Sequence, residues 1–257
     1  MEFLLFKMLN IWYYLLIALG INILMFIPAF IFKTDKLTDL SYSLTFIILS
    51  LISFFLVPFN IFKLLLLILI LVWSLRLGIF LFVRIRNMKF DKRFDKMRNS
   101  FFKFLGFWIL QAITVWIVLI PSIFFFNANT IKFCGLGLLI WLIGLIIESV
   151  ADAQKYKFNQ KNKNKFISSG LWKVSRHPNY FGEILCWIGI YLFIIKSISF
   201  PEKIIALAGP IFIILMLLFI SGIPMLERAA SKKWGKNKDY QEYKRRTSIL
   251  IPWFTKK

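Results

Sequence analysis

IFKLLLLILILVWSLRLGIFLFV, residues 61–83, decides the fold class. These 23 residues carry only two charges, Lys63 and Arg76. At about 1.5 Å of rise per residue, a helix of ~20 residues crosses the roughly 30 Å hydrocarbon core of a bilayer. Only helices and closed barrels satisfy every backbone donor and acceptor there, and the run lacks the period-two alternation of a barrel strand. It reads as a membrane-spanning helix. Six more runs of the same kind lie outward from it, at 10–32, 41–59, 104–126, 131–151, 180–199 and 204–226. The expectation is an all-α, polytopic bundle of about seven transmembrane helices, forming a single membrane domain without internal repeats. Of the 257 residues, 59% are hydrophobic, more than the roughly half usual in soluble domains.

Cations set the orientation. The formal net charge is +21, but the basic residues flank apolar spans, which favours membrane topology over nucleic-acid binding. Segments 33–40, 84–103, 152–179 and 227–257 hold 2, 8, 7 and 10 lysines and arginines, 27 of the chain's 33. Lys7, Lys63, Lys132, Lys196 and Lys203 are all that the opposite ends hold. With an odd number of crossings the four basic segments share one side, predicted cytoplasmic, with the N-terminus outside. The expected location is a bacterial inner membrane, with membrane lipids as partners. Lys7 is the only early cation and no small-residue cleavage site follows, so the first span is expected to be retained. Cys134 and Cys186 lie in apolar stretches without metal spacing, and a single histidine argues against a histidine-rich metal site. No metal and no nucleic acid are expected.

Ionisable groups inside spans are costly and mark candidate sites. Arg76 lies about five residues before the third span ends, open to snorkelling or to a buried role. Glu148 and Asp152 are four apart and share a helix face, which Lys155 continues. The most informative stretch is Ser169-Gly170-Leu171-Trp172-Lys173-Val174-Ser175-Arg176-His177-Pro178-Asn179-Tyr180-Phe181-Gly182-Glu183. Gly170 permits a turn, and Ser175 is placed to cap a helix whose first turn tolerates Pro178. Asn179 and Glu183 then fall one turn apart, with Gly182 allowing close approach. His177 is the one side chain here that titrates near neutrality. In the tail, aromatic residues alternate with cations from Glu227-Arg228 through Trp234, Tyr240, Tyr243 and Arg246 to Ile251-Pro252-Trp253-Phe254. Such a pattern suits a phosphate-bearing ligand and equally suits headgroup anchoring.

Several of these blocks together resemble the steroid 5α-reductase-like superfamily, in particular bacterial integral membrane proteins carrying its C-terminal domain. The resemblance rests on Ser-Arg-His-Pro-Asn-Tyr-Phe-Gly-Glu at 175–183, Thr38-Asp39-Leu40-Ser41-Tyr42, Trp73-Ser74-Leu75-Arg76-Leu77-Gly78, the run Asp91 to Arg98, Glu148 to Lys155, and Tyr243 with Ile251-Pro252. It covers about residues 35–254. It implies a membrane reductase that binds NADPH from the cytoplasmic side and reduces a carbon–carbon double bond in a sterol-like, isoprenoid or other lipid. By that resemblance Asp152, Lys155, Arg176, His177, Asn179, Glu183, Tyr243 and Arg246 would contact the cofactor, and Arg76 would be catalytic. Residues 41–59 lack the acid that steroid reductases use, and Trp73 stands where they place a tyrosine donor. Tyr42 is the hypothesis for a replacement donor. Two other classes remain: an S-adenosylmethionine-dependent methyltransferase of the isoprenylcysteine or phospholipid type, which shares an Arg-His-Pro element and a late Glu near a tail arginine, and a non-enzymatic lipid-binding or transport protein.

Overall fold

The computed structural model describes residues 2–86, 97–162 and 164–253. Most of the Asp91–Arg98 block and Phe254 lie outside the described residues. The protein is an all-α polytopic membrane bundle. Its helices are α1 (Glu2–Ile31), α2 (Lys36–Phe55), α3 (Ile61–Arg86), α4 (Phe101–Phe126), α5 (Gly135–Lys161), α6 (Pro178–Ile194), α7 (Phe200–Ala206), α8 (Ala208–Leu215), α9 (Ile223–Trp234) and α10 (Lys238–Arg246). Among the described residues there is no strand, only an isolated parallel bridge between Ser175 and Ser248.

Six helical runs are long and apolar enough to cross a membrane; the sixth continues from Phe200 to Trp234. The expected span at 180–199 becomes the 17-residue α6, which ends at Ile194. The expected span at 204–226 is subdivided. A π-helical turn at Met216–Ile220 and a break at Ser221–Gly222 precede α9, where Pro224 cannot donate an intrahelical bond. Helices overrun their expected limits: α1 begins at Glu2, α2 at Lys36 and α4 at Phe101, while α3 continues to Arg86 and α5 to Lys161. The polar turns that open α2 and close α5 carry no hydropathy signal, which is why an apolar count misses them.

The chain divides into two compact units, one comprising Met1–Phe133 with Ile194–Gly209, the other Cys134–Phe193 with Pro210–Lys257. In the first, Phe26 and Ala29 of α1 pack on Phe104 and Trp108 of α4. One set of its buried polar groups forms a network. Asn22 donates to Ala18 O (2.9 Å) and Thr45 Oγ1 (3.1 Å), and its Oδ1 accepts from Ser41 (3.0 Å) and Gln111 (3.3 Å). Gln111 also donates to Thr38 O at 2.9 Å. The polar start of α2 is pinned by ion pairs, Asp35 to Arg98 at 3.1 Å and Asp39 to Arg84 at 3.2 Å. Large apolar side chains such as Leu24, Ile79, Leu136 and Ile146 are exposed on the spans, the arrangement expected of a surface solvated by lipid.

In the second unit, α5 and α6 pack through glycines. A Cβ on Gly182 would lie 2.6 Å from the Glu148 nitrogen, and one on Gly189 2.6 Å from the Trp141 nitrogen. Gly144 and Gly137 face them from α5, with Gly144 equally close to the Cys186 nitrogen, at 2.7 Å. Small residues at this spacing let two membrane helices approach backbone to backbone.

Candidate functional site

The glycine contact fixes the first group of side chains. Glu148 and Asp152 on α5 and Glu183 on α6 are all buried. Asn179 Nδ2 donates to Asp152 Oδ1 at 3.2 Å, while Asn179 Oδ1 is buried without a hydrogen-bond partner. Four of the predicted residues or their neighbours are therefore brought together where α5 leaves its apolar part and α6 begins.

Immediately before α6 the chain makes a tight turn. Gly170 adopts φ +62°, a conformation that side-chain-bearing residues rarely take, and opens a 3₁₀ turn over Gly170–Lys173. Leu171 N donates to Gln154 Oε1 (2.9 Å) and Trp172 Nε1 to Ala151 O (3.0 Å), holding the turn against α5. Ser175 Oγ accepts from the backbone of His177 (3.2 Å) and donates to Leu250 O (2.6 Å). It therefore ties the loop to the tail, and does not cap a later turn of α6 as its position predicted; Pro178 does stand first in the helix.

Tail residues complete the arrangement. Asn237 caps α10 by accepting from Tyr240 N at 3.1 Å. Tyr243 donates its hydroxyl to Trp172 O at 2.7 Å. Burial first of all pushes the Tyr243 phenol above its ordinary value of 10, so it remains a donor, and Tyr240 is raised for the same reason. Phe166, Trp234, Tyr240 and Tyr243 form an aromatic cluster with centroid separations of 5.2 Å for Phe166–Tyr240 and 5.9 Å for Trp234–Tyr240. Lys155 places its ammonium 4.4 Å from the centre of the Trp172 ring.

These groups line a cavity of about 290 Å³, just below the roughly 300–1,000 Å³ typical of small-ligand pockets. Its aromatic walls come from Phe166, Trp172, Trp234, Tyr240 and Tyr243, and its cations from Lys155, Lys165, Arg176 and Lys233. One carboxylate, Glu227 of α9, also faces it. Glu227 takes Arg176 Nη1 at 2.5 Å, His177 Nε2 at 3.0 Å and Lys244 Nζ at 3.6 Å. Burial holds the His177 ring below its ordinary 6.5, against the opposing hydrogen bond that Nε2 donates to Glu227, while Lys155 and Arg176 also disfavour its charge. At neutral pH it is the neutral imidazole, with the proton assigned to Nε2 by the Glu227 contact. His177 Nδ1 and Arg176 Nε are buried and have no hydrogen-bond partner. Buried polar atoms left this way ask for an explanation, and a ligand is one.

Residues 25–247 match a single family description almost end to end. The chain belongs to the family DUF1295, described as a protein of unknown function. No curated protein and no solved structure matches it.

Within this DUF1295 chain the predicted residues fall in distinct places. Lys155, Arg176, His177 and Tyr243 line the cavity. Asp152, Asn179 and Glu183 form the α5–α6 group. Arg246 instead pairs with Glu242 at 2.5 Å, both half exposed, and is not among the cavity-lining residues. Arg76 and Tyr42 belong to the other unit. Arg76 is half-buried in α3, and Tyr42 packs edge-on against Phe46 (5.1 Å), which meets Trp73 in turn (5.2 Å). Glu227 and Trp172 stand in the sequence only as parts of longer stretches and were not among the expected cofactor contacts. Glu227 lies about fifty residues from Arg176 and His177, and in sequence it marks only the start of the aromatic–basic tail pattern. Among the described residues, no group of three His, Cys, Asp or Glu side chains is arranged to hold a metal ion.

Proposed function

We propose that this chain is a membrane-embedded, NADPH-dependent reductase of a carbon–carbon double bond in a sterol-like, isoprenoid or other lipid. The observation that carries the reading is the chemistry of the cavity: flat aromatic walls suited to a base, interleaved with Lys155, Lys165, Arg176 and Lys233 suited to phosphates. The unpartnered Arg176 Nε and Asn179 Oδ1 add a donor and an acceptor that a nucleotide would use. The cavity's size fits part of a dinucleotide, so the remainder extends beyond it. NADPH would supply the hydride. The protein's own residues bind and orient: Arg176 and the lysines hold phosphate, Asn179 with Asp152 offers amide and carboxylate contacts, and Tyr243 fixes the Trp172 wall. The resemblance to steroid 5α-reductases supports the cofactor and the lipid class of substrate. Tyr42 and Arg76 are proposed to act on the substrate. The distribution of cations supports an orientation with the basic segments, and therefore the cavity, in the cytoplasm of a bacterial cell.

A second reading has one observation in its favour. Arg176 and His177 converge on Glu227, joining the elements that membrane methyltransferases of the isoprenylcysteine type share. Thermal shift of the detergent-solubilised protein separates the two. A ligand that binds only the folded state raises its stability with the logarithm of concentration over Kd. Protection by NADPH that is lost in Arg176→Gln and Asn179→Ala supports the reductase; protection by S-adenosylmethionine alone transfers the assignment to the methyltransferase.

A further inference from the structure

After α10 the chain leaves the helix extended at Thr247 (φ −103°, ψ 130°), bridges Ser175 at Ser248 and then bends over residues 249–251. It runs beside the segment that precedes α6. Arg176 N donates to Ser248 O (2.8 Å), Trp253 N to Val174 O (3.2 Å), and Thr247 Oγ1 to Lys173 O (3.3 Å). Ile249, Ile251 and Trp253 are 44%, 59% and 69% exposed, while Ser248, Leu250 and Pro252 between them are less so. Three large apolar side chains are therefore exposed close together in the tail, outside any membrane span. Exposed cations border them: Lys244, Arg245 and Arg246 just before, and Lys173 on the paired segment.

The depth of these side chains follows from α6. Its 17 residues give a helix of about 25 Å, shorter than the roughly 30 Å hydrocarbon core. Residues 174–177, which lead directly into α6, must therefore sit at the bilayer boundary, and the tail hydrogen-bonded to them sits there too. An apolar group containing a tryptophan and rimmed by cations is the composition that partitions into an anionic membrane interface.

We infer that Ser248–Trp253 is a membrane-interface anchor: Ile249, Ile251 and Trp253 insert at the boundary of the acyl chains, and the cations of α10 meet anionic headgroups. The anchor stands independently of the reductase reading, since it uses the exposed side chains of the tail and not the cavity.

Spin labels test it in the full-length protein with Cys134 and Cys186 replaced by alanine. Single cysteines at each position from 248 to 253 are labelled in nanodiscs of phosphatidylcholine and phosphatidylglycerol. Collision with membrane-soluble oxygen should exceed collision with a water-soluble nickel chelate at 249, 251 and 253, and fall at 248, 250 and 252. Greater nickel access at the odd positions, or shielding of them from both reagents by a protein partner or second copy, overturns the anchor. Because labels at the less exposed positions can loosen the pairing, an unlabelled control uses brominated lipids. The quenched share of tryptophan emission should drop in Trp253→Phe, and an unchanged share contradicts insertion.

Discussion

The first unit buries amides and hydroxyls that answer one another; the second buries a histidine, an arginine and a carboxylate that meet at a cavity. Asn22 is the hub of one network and Glu227 of the other. In the first, every amide of the hub contacts helix backbone or a second side chain, which is how polar groups act as glue between membrane helices. In the second, Arg176, His177 and Asn179 each keep a buried atom without a partner. Buried atoms left open occur in both units, on Ser43, Ser50 and Ser122 in the first, but those of Arg176 and His177 in the second face the cavity described above.

Four experiments would break or sharpen this contrast. The largest effect is expected for Asp35→Ala, which takes the carboxylate at 3.1 Å away from the buried Arg98; removing one partner of a buried ion pair costs about 3–5 kcal/mol. Chemical unfolding in detergent measures it, and a loss near that of an exposed pair would show the site to be hydrated. Next, Gly182→Val forces a side chain into the Glu148 backbone. Overpacking of this kind costs about 1–3 kcal/mol, and here ligand protection should vanish with it, since the same contact positions Asn179 against Asp152. Asn22→Leu should lower stability by about 1–2 kcal/mol, because hydrogen bonds between membrane helices are worth about 0.6 kcal/mol each. Its ligand protection should stay intact; loss of binding would dissolve the distinction between glue and site.

The smallest effect concerns pH. His177 is held below 6.5, so above that value its ring is neutral in both folded and unfolded chains and contributes no slope. Below it the unfolded chain binds the proton first, and stability should fall until the buried ring itself protonates. Melting temperature measured against pH should lose this acid limb in His177→Gln. An unchanged limb would place the titration elsewhere.

The helices were legible because lipid enforces them: no soluble alternative accommodates a run such as 61–83. Their ends were less so, since the first turn of α2 is held by Asp35 and Asp39 pairing with Arg98 and Arg84 far along the chain. The residues of 175–183 announced a site, and Arg176 and His177 do line the cavity. Glu227 did not announce itself, because its meaning comes from two partners about fifty positions away. Trp172 reads in sequence as one of nine tryptophans, and only the turn opened by Gly170 sets it beneath Lys155. Arg246 shows the reverse: its place in the tail pattern suggested a ligand contact, while in the fold it faces Glu242.

Hydrogen exchange with and without NADPH, read by mass spectrometry on the detergent-solubilised chain, tests the central claim most directly. Protection is predicted in peptides covering residues 165–177 and 238–247, the turn and tail that wall the cavity. Exchange there unchanged by saturating NADPH, or slowed only by S-adenosylmethionine, would contradict a dinucleotide site in this unit.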